Sequence, residues 1–177
     1  MSRIFVTGPI GAGKTHFTSS LAQTLGWRVV ALDPFFLDYD YMSGGGPERR
    51  KRSPADRDAQ LAEWLDVEQV IFEGWHFGEW MIPLYRRISA AIVLDVPLEL
   101  RDTRIRERHR RRKTGEEPDP FPASGDAHLH NQLKWTRSFE VAATVDEIRR
   151  DAPSECKIVI TSEPGELDVQ EFIRSIK

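Results

Sequence analysis

One cysteine, Cys156, stands among 177 residues. A secreted disulfide framework needs at least two, so such a scaffold is excluded, and a lone buried thiol fits a reducing, cytoplasmic setting. No stretch approaches the roughly 18 apolar residues that a membrane-spanning helix needs. The opening MSRIFVTG has neither the apolar core nor the small-residue cleavage site of a secretory leader. Excess positive charge is missing too. The 25 Lys and Arg are outweighed by 28 Asp and Glu, for a net charge of −3, which argues against a protein that coats nucleic acid. No internal repeat is visible. Five Trp and nine Phe supply apolar bulk that a disordered chain would not carry. The expectation is one domain over residues 1–177, at the usual scale of roughly 100–200 residues per domain. A chain of this size buries about 70% of its unfolded surface.

Charge is nevertheless concentrated in one place. Between Arg101 and Lys113, seven Arg and one Lys accompany only Asp102 and Glu107, a net charge of +6. Such a segment is either a solvated helix face or the seat of an anionic partner, with phosphate one candidate.

Continuous apolar runs mark the strands: Arg3 to Thr7, Arg28 to Leu32, Gln69 to Glu73, Ala90 to Leu94 and Lys157 to Thr161. Runs without alternation belong to a sheet covered on both faces. Helices are predicted between them. The first spans Lys14 to Leu25, with Phe17, Leu21 and Leu25 on one face and Gly26 at its end. The second starts at Ser53-Pro54-Ala55-Asp56, a capping serine with proline at the first helical position, and runs to about Leu65. A charged helix opens at Pro97 and reaches about Lys113, with Asp95 read as its cap. A long helix runs from about His128 to Arg149, and a short one closes the chain near Leu167 to Ile176. Residues 33 to 52 read as a polar and aromatic loop with a glycine run at Gly44 to Gly46. Thr114 to Gly125 reads as a Pro/Gly-rich loop. The predicted architecture is a three-layer α/β/α sandwich with about five parallel strands and right-handed crossovers.

The most informative eight residues are GPIGAGKT, Gly8 to Thr15. They match G-x-x-x-x-G-K-[ST], and they follow a strand and open a helix, as a phosphate-binding P-loop requires. Gly8, Gly11, Ala12 and Gly13 would turn backbone N–H groups toward phosphate oxygens at a helix N-terminus. Lys14 would bridge the β- and γ-phosphates, and Thr15 would offer its hydroxyl to Mg²⁺. ATP or GTP binding follows. ATP is favoured, because no N/T-K-x-D base-reading segment is present.

The layout resembles the small P-loop kinases: adenylate kinase, uridine kinase and the adenylate-kinase-related DNA topology modulation proteins. Four segments carry the resemblance. LDPFFLD at Leu32 to Asp38 resembles the D-x-F-Y segment of uridine-kinase-like enzymes, with Asp33 in the acid's position and Phe36 in place of Tyr. IFEGW at Ile71 to Trp75 resembles the third-strand acid-Gly, with Glu73 as the acid. LDVPLELRDTRIRER at Leu94 to Arg108 resembles the fourth strand and the helix that enters the lid, with Arg104 and Arg108 as its arginine pair. QLKWTRSFE at Gln132 to Glu140 resembles the helix after the lid in the topology modulation group. The chain lacks the Cys₄ zinc cluster of some lids and the nucleotide-monophosphate signature of adenylate kinase.

From these residues we expect an ATP-dependent phosphotransferase acting on a small nucleoside- or nucleotide-like acceptor, with a mobile lid at about 101–127. Glu73, ending an apolar strand, would meet Mg²⁺ through water or accept a hydrogen bond from Thr15, since a buried carboxylate without a partner is costly. Asp33, at the mouth of the sheet, would accept the proton of an attacking hydroxyl. Its bland alternative is a turn residue before Pro34. Arg104 and Arg108, one helical turn apart, would reach the triphosphate, whereas Arg110, Arg111 and Arg112 read as solvated. Phe35, Phe36, Tyr39, Tyr41, Trp75, His76, Phe77 and Trp80 flank the same mouth, some able to stack on a ring and most read as local core. The alternative function is an ATP-binding regulator that touches nucleic acid through the basic segment.

Overall fold

The five apolar runs form one parallel sheet, and the order of its strands decides where a ligand can bind. The computed structural model describes residues 2–38, 50–75, 78–118 and 125–174. The sheet contains β1 (Arg3–Thr7), β2 (Arg28–Ala31), β5 (Val70–Glu73), β6 (Ala90–Leu94) and β7 (Lys157–Thr161), in the spatial order β2-β5-β1-β6-β7. Every neighbouring pair is parallel. The chain moves from β1 outward to β2 and β5, then crosses to β6 and β7 on the other side. β1 is therefore the switch point, beyond whose carboxyl end a crevice opens.

Helices cover both faces, and successive strand residues point into two separate cores. On one face Phe5, Phe72, Ala91 and Val93 meet α3 (Pro54–Leu65), α4 (Ile82–Tyr85) and α7 (Val141–Asp151) through Leu61, Leu84, Tyr85, Val145 and Ile148. On the other, Ile4, Val6, Ile71 and Ile92 meet α1 (Lys14–Leu25) and α8 (Val169–Arg174) through Phe17, Leu21, Phe172 and Ile173. All five residues of β1 and of β6 are buried, which is why their sequences do not alternate. The three-layer α/β/α arrangement is thus as predicted. Two helices, α5 (Leu98–Lys113) and α6 (Gly125–Arg137), pair with each other beyond the carboxyl end of the sheet. Among the described residues, no helix is long and apolar enough to cross a membrane.

Several boundaries differ from expectation. β2 stops at Ala31, and the presumed loop after it begins as a one-turn helix, α2 (Asp33–Phe36). It then contributes β3 (Leu37–Asp38), which pairs antiparallel with β4 (Arg50–Lys51). The glycine run at Gly44 to Gly46 lies outside the described residues. Asp95 does not cap α5. Its backbone N–H donates to the Thr161 carbonyl at 2.8 Å, extending the sheet, and Pro97 takes the N-cap position with no side-chain cap. The helix expected over 128–149 is two helices, α6 and α7, broken at residues 138–140. Phe139 causes the break: it leaves the helical path to bury its ring against Trp75, centroids 5.7 Å apart, in the larger core. Cys156 is half-buried rather than buried, and burial raises its thiol to about 11.

Because Phe139 fixes the turn between α6 and α7, Phe139→Ala is expected to cost about 3 kcal/mol of stability, the usual scale for deleting a buried aromatic. Urea denaturation with an unchanged midpoint would show that the break is not held by this packing.

Candidate active site

The loop from Gly8 to Gly13 leaves the carboxyl end of β1 and turns into α1. Two of its glycines are needed because something else occupies the space of a side chain. A Cβ on Gly8 would lie 2.8 Å from the Leu94 carbonyl oxygen, and one on Gly11 would lie 2.7 Å from that of Arg101. Gly11 also has φ +84°, a conformation that side chains disfavour. The loop therefore lies flat against the end of β6 and the first turn of α5.

Lys14 folds back along this loop, its ammonium donating to the carbonyls of Gly8 (2.8 Å) and Pro9 (3.1 Å). Burial lowers its pKa from 10.5 to about 8, while Asp33 and Glu73 oppose the shift and Arg108 adds to it. Lys14 therefore remains mostly cationic at pH 7. Glu73 is the buried carboxylate at the end of β5. Its two oxygens accept from the hydroxyls of Thr15 and Thr18, each at 2.7 Å. The expected Thr15 partner is present, and Thr18 is a second one that the loop motif does not announce.

α5 brings its arginines over the loop. One guanidinium nitrogen of Arg104 donates to the carbonyls of Gly11 and Ala12, both at 3.3 Å. Arg108 reaches the Gln132 side-chain oxygen on α6 at 3.4 Å. Its guanidinium is held below its ordinary pKa, first by burial and then by the charge of Arg112. The reading of Arg110 to Arg112 as solvated is corrected only for Arg112, which is half-buried, whereas Arg110 and Arg111 are exposed. Arg110 is paired with Glu107 and Glu116. Arg111 and Arg112 line the cleft beside Arg104 and Arg108, because a steep helix turns positions 104, 108, 111 and 112 to one side. Glu117 balances them in part, 3.5 Å from Arg111 and 3.4 Å from Arg112.

These groups share one cleft of about 960 Å³, large for a single small ligand and sufficient for a nucleotide. Its lining brings together all five catalytic candidates, Lys14, Asp33, Glu73, Arg104 and Arg108, with loop residues Gly11 to Thr15. Five cations face two carboxylates among its described lining residues, so the cleft favours an anion. Gly8 lies behind the loop and not in the lining. Asp33 is exposed at the start of α2, close enough to Lys14 to stabilise its charge. The far wall, Pro164, Gly165 and Leu167, comes from the segment after β7, which sequence alone did not single out. Of the aromatic cluster, Phe35, Trp75 and Trp80 pack on the larger core. Tyr39, Tyr41, His76 and Phe77 lie outside the described residues, as does the side chain of Phe36.

The donor set at Thr15 and Glu73 is hydroxyl and carboxylate oxygen. That suits Mg²⁺, which takes one or two protein oxygens and fills its octahedron with water and phosphate. Among the described residues there is no group of three or more His, Cys, Asp or Glu able to hold a metal ion by themselves.

The parallel sheet with its central P-loop strand, the loop opening α1 and the arginine helix over it define the fold of the small P-loop kinases, so the resemblance is borne out at the level of fold. No protein-family model matches the chain. Over 119 residues it is 32% identical to a cytidylate kinase of Natronomonas pharaonis, covering 59% of this chain and 57% of that one. The chain thus spans little more than half the length of that relative. Among solved structures it resembles a shikimate kinase from Bacteroides thetaiotaomicron, with TM-score 0.54 and 17% identity over 99% of this chain and 94% of that one. It also resembles a sugar kinase from Janibacter sp., with TM-score 0.52 and 20% identity over 99% and 92% of the two chains.

Gly11→Ala should strain the loop and push it off α5, at a cost of about 2 kcal/mol for the disfavoured backbone and the close contact. An unaltered urea midpoint would mean that α5 yields freely.

Proposed function

We propose that this chain is an ATP-dependent phosphotransferase that moves the γ-phosphoryl group of Mg·ATP to a small, nucleoside- or nucleotide-like acceptor. The carrying observation is that one cleft gathers a P-loop lysine, a Thr–Glu oxygen pair, an exposed carboxylate and four arginines. Phosphoryl transfer needs alignment and positive charge on the transferring oxygens rather than covalent help. Lys14 and the loop N–H groups hold the phosphates, except the Ala12 N–H, which against expectation donates to the Pro9 carbonyl at 3.2 Å. Thr15 and Glu73 would hold Mg²⁺, which would supply positive charge to the phosphates. Arg104 and Arg108 clamp the transferring group bidentately, with Arg111 and Arg112 beyond them. The wall at Pro164 and Gly165 is the natural rest for the base, and ATP is the favoured donor.

The segment at about 101–127 acts as the lid. Its first turn already rests on the loop through Arg101 and Arg104, so any lid movement belongs to its later part, and residues 119–124 lie outside the described residues. Turning four arginines into the cleft, and spending Arg110 on Glu107 and Glu116, leaves little of the basic segment for a nucleic-acid backbone. The single cysteine supports a cytoplasmic setting.

Lys14→Ala should remove most affinity for Mg·ATP while leaving the fold intact. Calorimetric titration showing wild-type affinity in a folded mutant would end the P-loop reading.

Asp33 separates the acceptor classes. A hydroxyl must lose a proton as it attacks, whereas a phosphate oxygen is already ionised. Asp33→Asn should lower kcat on a hydroxyl acceptor by about 10²–10⁴-fold, the usual value of a general base, with Tm nearly unchanged and ATP affinity altered only through the charge that Asp33 lends Lys14. For a monophosphate acceptor, only the acceptor KM should rise. A panel scored by ADP release, with acceptor-free ATPase as background, measures this. Unchanged kcat on a hydroxyl acceptor would remove Asp33 from the chemistry.

A further inference from the structure

Thr136, near the end of α6, is completely buried although it is polar and distant in sequence from the P-loop. Its hydroxyl donates to the carbonyl oxygen of Ile10 at 2.6 Å. Arg101, in the first turn of α5, is buried as well, and one of its guanidinium nitrogens donates to the Thr136 carbonyl at 2.6 Å and to the Thr136 hydroxyl oxygen at 3.2 Å. A hydroxyl can donate once and accept at the same time, so the chain Arg101 to Thr136 to Ile10 is fully consistent. Beside it Asp102 accepts from Arg137 at 2.6 Å, a second tie between the same two helices. Burying a guanidinium is costly unless hydrogen bonds and opposite charge offset it; here Thr136 supplies the hydrogen bonds and Asp95 and Asp102 the charge.

The consequence lies in the peptide that follows Ile10. A trans peptide is planar, with its C=O and N–H on opposite sides. Fixing the Ile10 carbonyl toward Thr136 therefore aims the Gly11 N–H away from Thr136. Gly11, at φ +84°, has the backbone freedom to let that peptide rotate, and with glycine at position 11 local sterics alone do not fix it.

We propose that Thr136, itself held by Arg101, is a positioning residue that locks the Ile10–Gly11 peptide with its N–H available to phosphate, and so couples the α5–α6 pair to nucleotide binding. This rests on the P-loop reading above. Neither residue touches the nucleotide; both act through the loop.

Titration of Mg·ATP into wild type, Thr136→Val, Thr136→Ser and Arg101→Lys tests it, together with the Gly11 amide in ¹H–¹⁵N spectra. Valine keeps the shape and removes the donor, so affinity should fall roughly tenfold, the scale of one hydrogen bond. Serine keeps the hydroxyl and should bind within about twofold of wild type. Arg101→Lys should weaken binding about threefold by loosening the threonine. The Gly11 amide should shift strongly with Mg·ATP in wild type and in the serine variant, and much less in the valine variant. A purely structural Thr136 would lower Tm but leave affinity, measured well below Tm, unchanged. That result, or a serine variant as weak as valine, overturns the proposal. If the valine variant fails to fold, wild-type affinity in Arg101→Lys overturns it instead. Absence of Mg·ATP binding by wild type would bring down the nucleotide reading itself, and the proposal with it, and is distinguished by that control.

Discussion

A backbone loop can hold a polyanion only while its carbonyl oxygens are turned elsewhere, and each turned carbonyl needs a donor. From Gly8 to Gly13 every carbonyl has one. Lys14 serves Gly8 and Pro9, and Pro9 also accepts from the Ala12 N–H. Thr136 serves Ile10. Arg104 serves Gly11 and Ala12, and Gly13 accepts from Phe17 as α1 begins. The position of the surrounding elements follows from this requirement. α5 must pass close enough to deliver Arg104, which is why its first turn abuts Gly11 with no room for a Cβ. α6 must end where Thr136 can reach Ile10.

Glu73 anchors the arrangement from the sheet side. It ends a strand next to β1, so its carboxylate emerges beside the loop, and its hydrogen bonds to Thr15 and Thr18 pin the first turn of α1 to β5. Two oxygens satisfied by two hydroxyls remove the penalty of burying the charge. One of those hydroxyls is also the metal ligand that we propose, so the same carboxylate orders α1 and orients the oxygen on which the ion would depend.

How much of this was readable in advance follows from the range of each interaction. β1, α1, β6 and β7 were delimited correctly because apolar runs, Gly26 and the P-loop glycines are local signals. Lys14, Thr15 and Glu73 could be placed in one cleft from sequence because motif and strand end coincide, and Arg104 and Arg108 because their spacing fits a helix. Thr18 lay hidden because its signal is only one more turn of the helix, with the partner 55 residues away. Thr136 lies 126 residues from Ile10, and a threonine within a helix looks like any other. Arg112 was misplaced because a run of four basic residues looks solvated until the neighbouring helix shows which side is inward. The break at Phe139 escaped because periodicity continued through it, and core packing against Trp75 prevailed over local helix propensity.

The donors on the loop are not equivalent, and the difference bears on how a nucleotide would be received. Lys14 and Arg104 are charged and line the cleft, yet they spend N–H groups on neutral carbonyls. A phosphate oxygen offers them charge-assisted hydrogen bonds roughly twice as strong, so a triphosphate would draw both toward itself. The carbonyls they leave would keep their direction and take water as the new donor. Thr136 is different. It is neutral, fully buried and held from behind by Arg101, and a phosphate offers it nothing. The loop thus has two exchangeable donors on the ligand side and one permanent donor on the protein side. That division lets the cations move to the phosphate while the Ile10–Gly11 peptide keeps its direction.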